Sequence, residues 1–101
     1  MSPKKRERVI VWMRKEAKNF AEKTFAQAAV GCKDYWKPTS LKEHLQALHD
    51  LINSFEKMKG SRSISSGYFW VGMEQWGKEW HPSMRFVYDT TNFSIKSDSG
   101  N

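Results

Sequence analysis

The sequence predicts an α+β fold: two N-terminal helices, with a short strand before them as an alternative for the first residues, packed on a C-terminal antiparallel β-meander of about three strands. Three observations lead to it. Apolar residues recur with helical spacing as far as Gly60 and then stop doing so. Beyond Gly60 the chain turns to Ser, Gly and alternating aromatics. Eight of its fourteen aromatic residues fall between Tyr68 and Phe93.

Residues 1–5 are expected to form a mobile basic arm. From Arg6 to Val30, Ile10, Met13, Ala17, Phe20, Ala21, Thr24 and Ala28 recur at steps of three and four, which marks one face of a helix. Gly31 is its expected stop, through the left-handed conformation that glycine adopts at low cost. The β-branched and aromatic run Val9-Ile10-Val11-Trp12 supports a second reading, a short strand with the helix starting near Arg14. Periodicity does not decide between helix and strand over residues 6–13.

Cys32 to Pro38 reads as a connector. Ser40-Leu41-Lys42-Glu43 fits a capping box, in which the serine oxygen and the glutamate each satisfy an exposed backbone donor. Behind it, Leu41, Leu45, Leu48, Ile52 and Phe55 repeat at helical steps, and Leu51 and Met58 widen the stripe. Gly60 ends this second helix. The stripe is short for a coiled coil, so packing within one domain is expected, in a monomer or weak dimer.

Ser61 to Gly67 is rich in Ser and Gly and reads as a loop. From Tyr68 to Trp76, alternation sets Phe69, Val71 and Met73 on one strand face. Tyr68, Trp70, Glu74 and Trp76 take the other. Gly77-Lys78 is a turn and His81-Pro82 a break. Met84 to Tyr88 and Phe93 to Lys96 supply the remaining strands, before a frayed tail over residues 97–101.

A chain of 101 residues, with a net charge of +6, is expected to form a single domain over 1–101. Its lone cysteine, Cys32, cannot make an internal disulfide, so a cytoplasmic location is the default expectation. The longest apolar run, Val9 to Met13, is shorter than the roughly 7–15 residues of a signal core and the roughly 20 of a membrane span. No membrane partner is expected.

The charge is clustered. Seven of the seventeen basic residues lie in the first eighteen positions: Lys4, Lys5, Arg6, Arg8, Arg14, Lys15 and Lys18. On a helix, Lys4, Arg8 and Lys15, with Arg14 and Lys18 beside them, form a broad sector that can follow a phosphate backbone by displacing counterions. The strand face carrying Trp70 and Trp76, with Arg85 nearby, adds aromatics of the kind that stack bases or anchor a protein partner. These ten residues are the candidate binding set, and the expected partner is nucleic acid or an acidic protein surface.

Catalytic signals are thin. The sequence has no Gly-rich phosphate loop and no nucleophile elbow. Glu74, Glu79, His81, Arg85 and Tyr88 are the acid–base candidates that lie near one another. His44 and His49 stand about 140° apart around a helix and share no metal face. Neither a metal nor a cofactor is expected.

Ser66-Gly67-Tyr68-Phe69-Trp70, followed by Arg85-Phe86-Val87-Tyr88, resembles the strand pattern of RelE/YoeB-type ribosome-dependent RNase toxins. The likeness covers the C-terminal third of the chain. It implies a first strand, here Val9 to Trp12, then two helices and a sheet. It also implies mRNA cleavage, with Arg85 and Tyr88 near the scissile phosphate. Read on their own, the residues favour a small non-enzymatic binding protein. It would act on nucleic acid or on a nucleic-acid-processing machine, as an accessory or inhibitory factor. A protein–protein interaction module for an acidic partner is the other alternative.

Overall fold

A computed structural model describes residues 2–88 and 91–96. Its elements are α1 (Pro3–Gly31), a 3-10 turn (Asp34–Trp36), α2 (Leu41–Lys57), β1 (Ser63–Ser66), β2 (Phe69–Trp76), β3 (Glu79–Tyr88) and β4 (Thr91–Lys96). The class is α+β as expected, with four strands where about three were read. The tail read as frayed lies outside the described residues.

Ser2 starts α1 by accepting the Lys5 N–H on its hydroxyl at 3.2 Å. Pro3 takes the first helical position, where its missing N–H is not needed. Lys4 and Lys5, expected on a mobile arm, therefore sit in the first turn of the helix. Residues 6–13 are helical throughout, which settles the helix-or-strand alternative. Val9, Ile10 and Met13 are buried while Val11 is exposed. Burial of that one face outweighs the strand preference of β-branched residues. All of the predicted inward residues of α1 are buried.

Gly31 is the last residue of α1, and it does not have the positive φ of Gly60, Gly67, Gly72 and Gly77. Glycine is required there for space. A Cβ at position 31 would lie 1.5 Å from Cζ of Tyr88.

At the start of α2, the Ser40 hydroxyl accepts the Glu43 N–H at 3.1 Å. The Glu43 carboxylate returns to the N–H and hydroxyl of Thr39, one residue earlier than the capping box predicts. The buried stripe of α2 is His44, Leu48, Leu51, Ile52 and Phe55. Leu41 and Met58, expected on it, are exposed at the two ends of the helix.

The sheet is antiparallel throughout, in the order β1-β2-β3-β4. The segment read as a serine-rich loop contains β1, which pairs Ile64 with Val71. The expected break at His81-Pro82 is continuous strand, with Pro82 opposite Met73. Met73 turns its N–H away from β3, to the Arg62 carbonyl at 2.8 Å. Among the described residues, β3 pairs with β4 from Ser83 onward. Pro82, opposite Met73, owes β2 no N–H, and proline is tolerated at such a position.

Phe69, Val71, Met73, Met84 and Phe86 form the inner face of the sheet. They pack on the buried residues of α1 and α2 in a single core. His44 lies inside it, against the rings of Phe69 and Phe86. Among the described residues, no helix is long and apolar enough to cross a membrane.

Candidate anion-binding surface

Strand alternation sends Trp70, Glu74 and Trp76 to the face away from the helices, as expected. Their register partners Arg85, His81 and Glu79 share that face, and Ser83 and Lys96 join them. Tyr68, read onto the same face, precedes β2 and packs instead against His44, Phe69 and Phe86 of the core. Glu74 is its hub. It accepts from Lys96 Nζ at 2.8 Å, from Arg85 at 2.8 Å and from the Ser83 hydroxyl at 3.2 Å. Burial alone would raise the Glu74 carboxyl. Hydrogen bonds from Lys96, Arg85 and Ser83, with the charge of Arg85, outweigh burial and hold it at about 2.

The tryptophans of this face are covered in part. The Arg85 guanidinium lies 5.7 Å from the Trp70 ring centre, and Lys96 Nζ lies 5.5 Å from that of Trp76. Trp76 also stacks on His81 at 3.9 Å, and His81 Nε2 lies 3.3 Å from the Glu79 carboxylate. Arg85 and Lys96 are thus both bonded to Glu74, and the face carries no excess of positive charge. The structure brings Glu74, Glu79, His81 and Arg85 together but not Tyr88. Tyr88 turns to the helix side and meets Gly31.

Six of the eight basic residues of α1 divide into two groups. Arg6 and Arg14 turn toward α2. Arg6 donates to the carbonyls of Phe55, Met58 and Ser61, the latter two at 3.0 Å, and lies 4.3 Å over the Phe55 ring. A helix leaves its last carbonyls without partners, so Arg6 caps the C-terminus of α2 from a neighbouring helix. Arg14 donates to Asn53 at 2.7 Å and pairs with Glu56 at 2.9 Å.

Lys4, Arg8, Lys15 and Lys18 form the second group. They are exposed on the outward face of α1, and no hydrogen bond or ion pair engages them among the described residues. Val11, 60% exposed, and half-buried Trp12 lie between Arg8 and Lys15 and line one shallow groove with them. From Lys4 to Lys18 this face rises about 21 Å.

The Arg6 bonds have a second effect. They draw the end of α2 and the α2–β1 loop against the first turns of α1. Exposed Lys59 and Arg62 are thereby brought to the basic end of the helix, Lys59 in a groove that Glu7 and Glu56 also line. A recess of about 270 Å³ opens there, walled by Lys5, Arg6, Ser61, Arg62, Met73 and Trp80. The Arg62 guanidinium lies 4.6 Å over the Trp80 ring, and Lys5 Nζ lies 3.4 Å from the Trp80 carbonyl.

Compared with known proteins, the chain matches no family model, no curated protein and no solved structure.

Two features were missed from the sequence. Lys59 and Arg62 stand in the loop after α2, and only the fold joins them to the first turns of α1. The connector also holds Tyr35 and Trp36, which are 72% and 43% exposed and lie between Lys33 and Lys37. The signal was present there as aromatics flanked by lysines in a short polar segment. Among the described residues, no group of three or more His, Cys, Asp or Glu could hold a metal ion.

Proposed function

We propose that the protein binds nucleic acid through the outward face of α1 and the basic end that α1 shares with the α2–β1 loop. It acts there as a small non-enzymatic accessory or inhibitory factor, on nucleic acid itself or on a machine that processes it. The observation that carries this reading is the set Lys4, Arg8, Lys15 and Lys18, exposed on one face of a rigid helix, with Lys59 and Arg62 beside the first turns of that helix. Each strand of a duplex carries one phosphate per about 3.4 Å of helix axis, so a face of this length spans the axial rise of about six of them. The helix holds the cations in place before binding, which lowers the ordering cost. The open sheet face contributes less, because Arg85 and Lys96 are bonded to Glu74.

The test is the salt dependence of binding to single-stranded and duplex oligonucleotides. With about five phosphate contacts on duplex DNA, log K falls against log salt with a slope of roughly −4.5. Replacing Lys15 and Lys18 together by Ala reduces the magnitude of that slope by about 1.8. Arg85→Ala leaves it unchanged. Absence of binding at low salt would overturn the reading and leave an acidic protein as the partner of the same face.

A further inference from the structure

The recess at the joined basic end differs from the open helix face in shape and in its balance of charge. Lys5, Arg6 and Arg62 line it, and no carboxylate does among the described residues. Arg6 is committed to three backbone carbonyls and stands as a fixed charge. Arg62 is different: its guanidinium lies over the Trp80 ring, and its N–H donors hold no hydrogen bond among the described residues. Lys5 carries three N–H donors and uses one, on the Trp80 carbonyl. Trp80 therefore orients both side chains that still have donors to offer. Glu79, the neighbouring acid, turns to the other face of the sheet and pairs with His81. Gly60 stands at the rim, where a Cβ would touch nothing within 4 Å, so the mouth is open.

We infer that this recess takes the terminal phosphate of a nucleic-acid strand; the inference rests on the nucleic-acid reading above for the source of that phosphate. Two properties favour an end over the middle of a strand. A phosphomonoester carries about −1.5 to −2, which matches the two cations that have free donors. An internal phosphodiester carries a single negative charge and must leave the recess in two directions. At about 270 Å³ the recess is also below the roughly 300–1,000 Å³ of pockets that enclose a whole ligand. It fits an end group with the rest of the strand outside, running toward Lys4 and Arg8.

The experiment compares one unlabelled oligonucleotide sequence as competitor in three forms: 5′-phosphorylated, 3′-phosphorylated and with hydroxyl ends. One phosphorylated end is expected to bind about tenfold tighter than the hydroxyl form, the effect of one charge-assisted hydrogen bond at a partly exposed site. Arg62→Ala removes that advantage. Lys42→Ala, an exposed change at the far end of α2, keeps it. Equal binding of all three forms, with or without Arg62, overturns the inference while leaving the nucleic-acid reading in place.

A second arm titrates inorganic phosphate and follows the indole N–H signal of Trp80, assigned with Trp80→Phe. If no oligonucleotide binds in any form, this arm decides. A saturable shift that Arg62→Ala abolishes keeps the recess as a phosphate site and removes nucleic acid as its source. An unmoved Trp80 signal then overturns both.

Discussion

His44 Nε2 lies 2.8 Å from the Thr24 hydroxyl, which in turn donates to the Phe20 carbonyl at 3.0 Å. With the hydroxyl proton assigned to the Phe20 carbonyl, the Thr24 oxygen accepts from Nε2 of a neutral His44. Nδ1 is buried without a partner among the described residues, in a ring of Phe25, Tyr68, Phe69 and Phe86. Burial lowers the pKa of His44 from 6.5 to about 4.

The sign of the pH effect follows. Above about pH 6.5 both the folded and the unfolded chain hold this histidine neutral, and its contribution to stability is complete. Between about 6.5 and about 4 the unfolded chain takes up a proton that the folded chain refuses, so stability falls. The loss reaches about 2 kcal/mol at about pH 5. Urea unfolding at about pH 7 and about pH 5 measures it, and His44→Leu should flatten the profile in that window. An unchanged slope in the variant would show that another group drives the loss.

Glu74 acts at lower pH. Its carboxyl stands at about 2 in the fold against an ordinary 4.5. Its contribution is complete above about 4.5 and is lost as pH falls from there through about 2. The Glu74 side chain is only 16% exposed, but Arg85 and Lys96 are 36% and 40% exposed, so solvent screening limits the gain. Glu74→Gln is expected to cost about 1–2 kcal/mol at neutral pH and to remove the drop in stability below about pH 4.5. Because the two windows barely overlap, one pH series on both variants assigns each part of the curve.

The fold was legible where one pattern had one physical cause. The inward face of α1 and the alternation of β2 were readable because burial alone sets them. β1 was not readable. Its only apolar residue is Ile64, and serines elsewhere in it look like a loop until β2 pairs with them. Pro82 looked like a break because its tolerance depends on Met73, opposite it, turning its N–H to β1's side, which is a tertiary fact. The candidate site was half legible. Counting cations located the basic helix but could not show that Arg6 and Arg14 face α2. Nor could it show that Arg62 comes back beside Lys5.

Gly31 supplies a test in which the direction of the effect is informative. Alanine in a helix is about 1 kcal/mol better than glycine, so Gly31→Ala should stabilise an isolated helix end. Here the new methyl meets the end of the Tyr88 ring, which packs against the core. Displacing it costs about 1–3 kcal/mol, and the single variant is expected to be net destabilised. In a Tyr88→Ala background the obstacle is gone, and the same change should become stabilising. A double-mutant cycle by chemical denaturation reads this reversal directly. Equal effects in both backgrounds would show that the ring does not dictate the glycine.

Arg6 and Lys15 carry the same charge on the same helix, yet they should respond differently to replacement. Arg6→Ala removes a charged donor from three carbonyls at the end of α2 and a cation from the face of Phe55. The expected cost is about 2–3 kcal/mol. Arg6→Lys should recover little of it, since an ammonium cannot reproduce the fixed fork of a guanidinium across several acceptors. Lys15→Ala should change stability by less than about 0.5 kcal/mol, because that side chain holds no partner among the described residues. Nucleic-acid affinity at low salt should show the opposite emphasis. Lys15→Ala weakens binding in a protein of unchanged stability, whereas any loss in Arg6→Ala follows the loosening of the α2–β1 loop. Unfolding curves and binding isotherms for the three variants separate the two roles. A Lys15→Ala protein that unfolds as easily as Arg6→Ala would overturn the division of the basic segment into a part that holds the fold and a part that faces the partner.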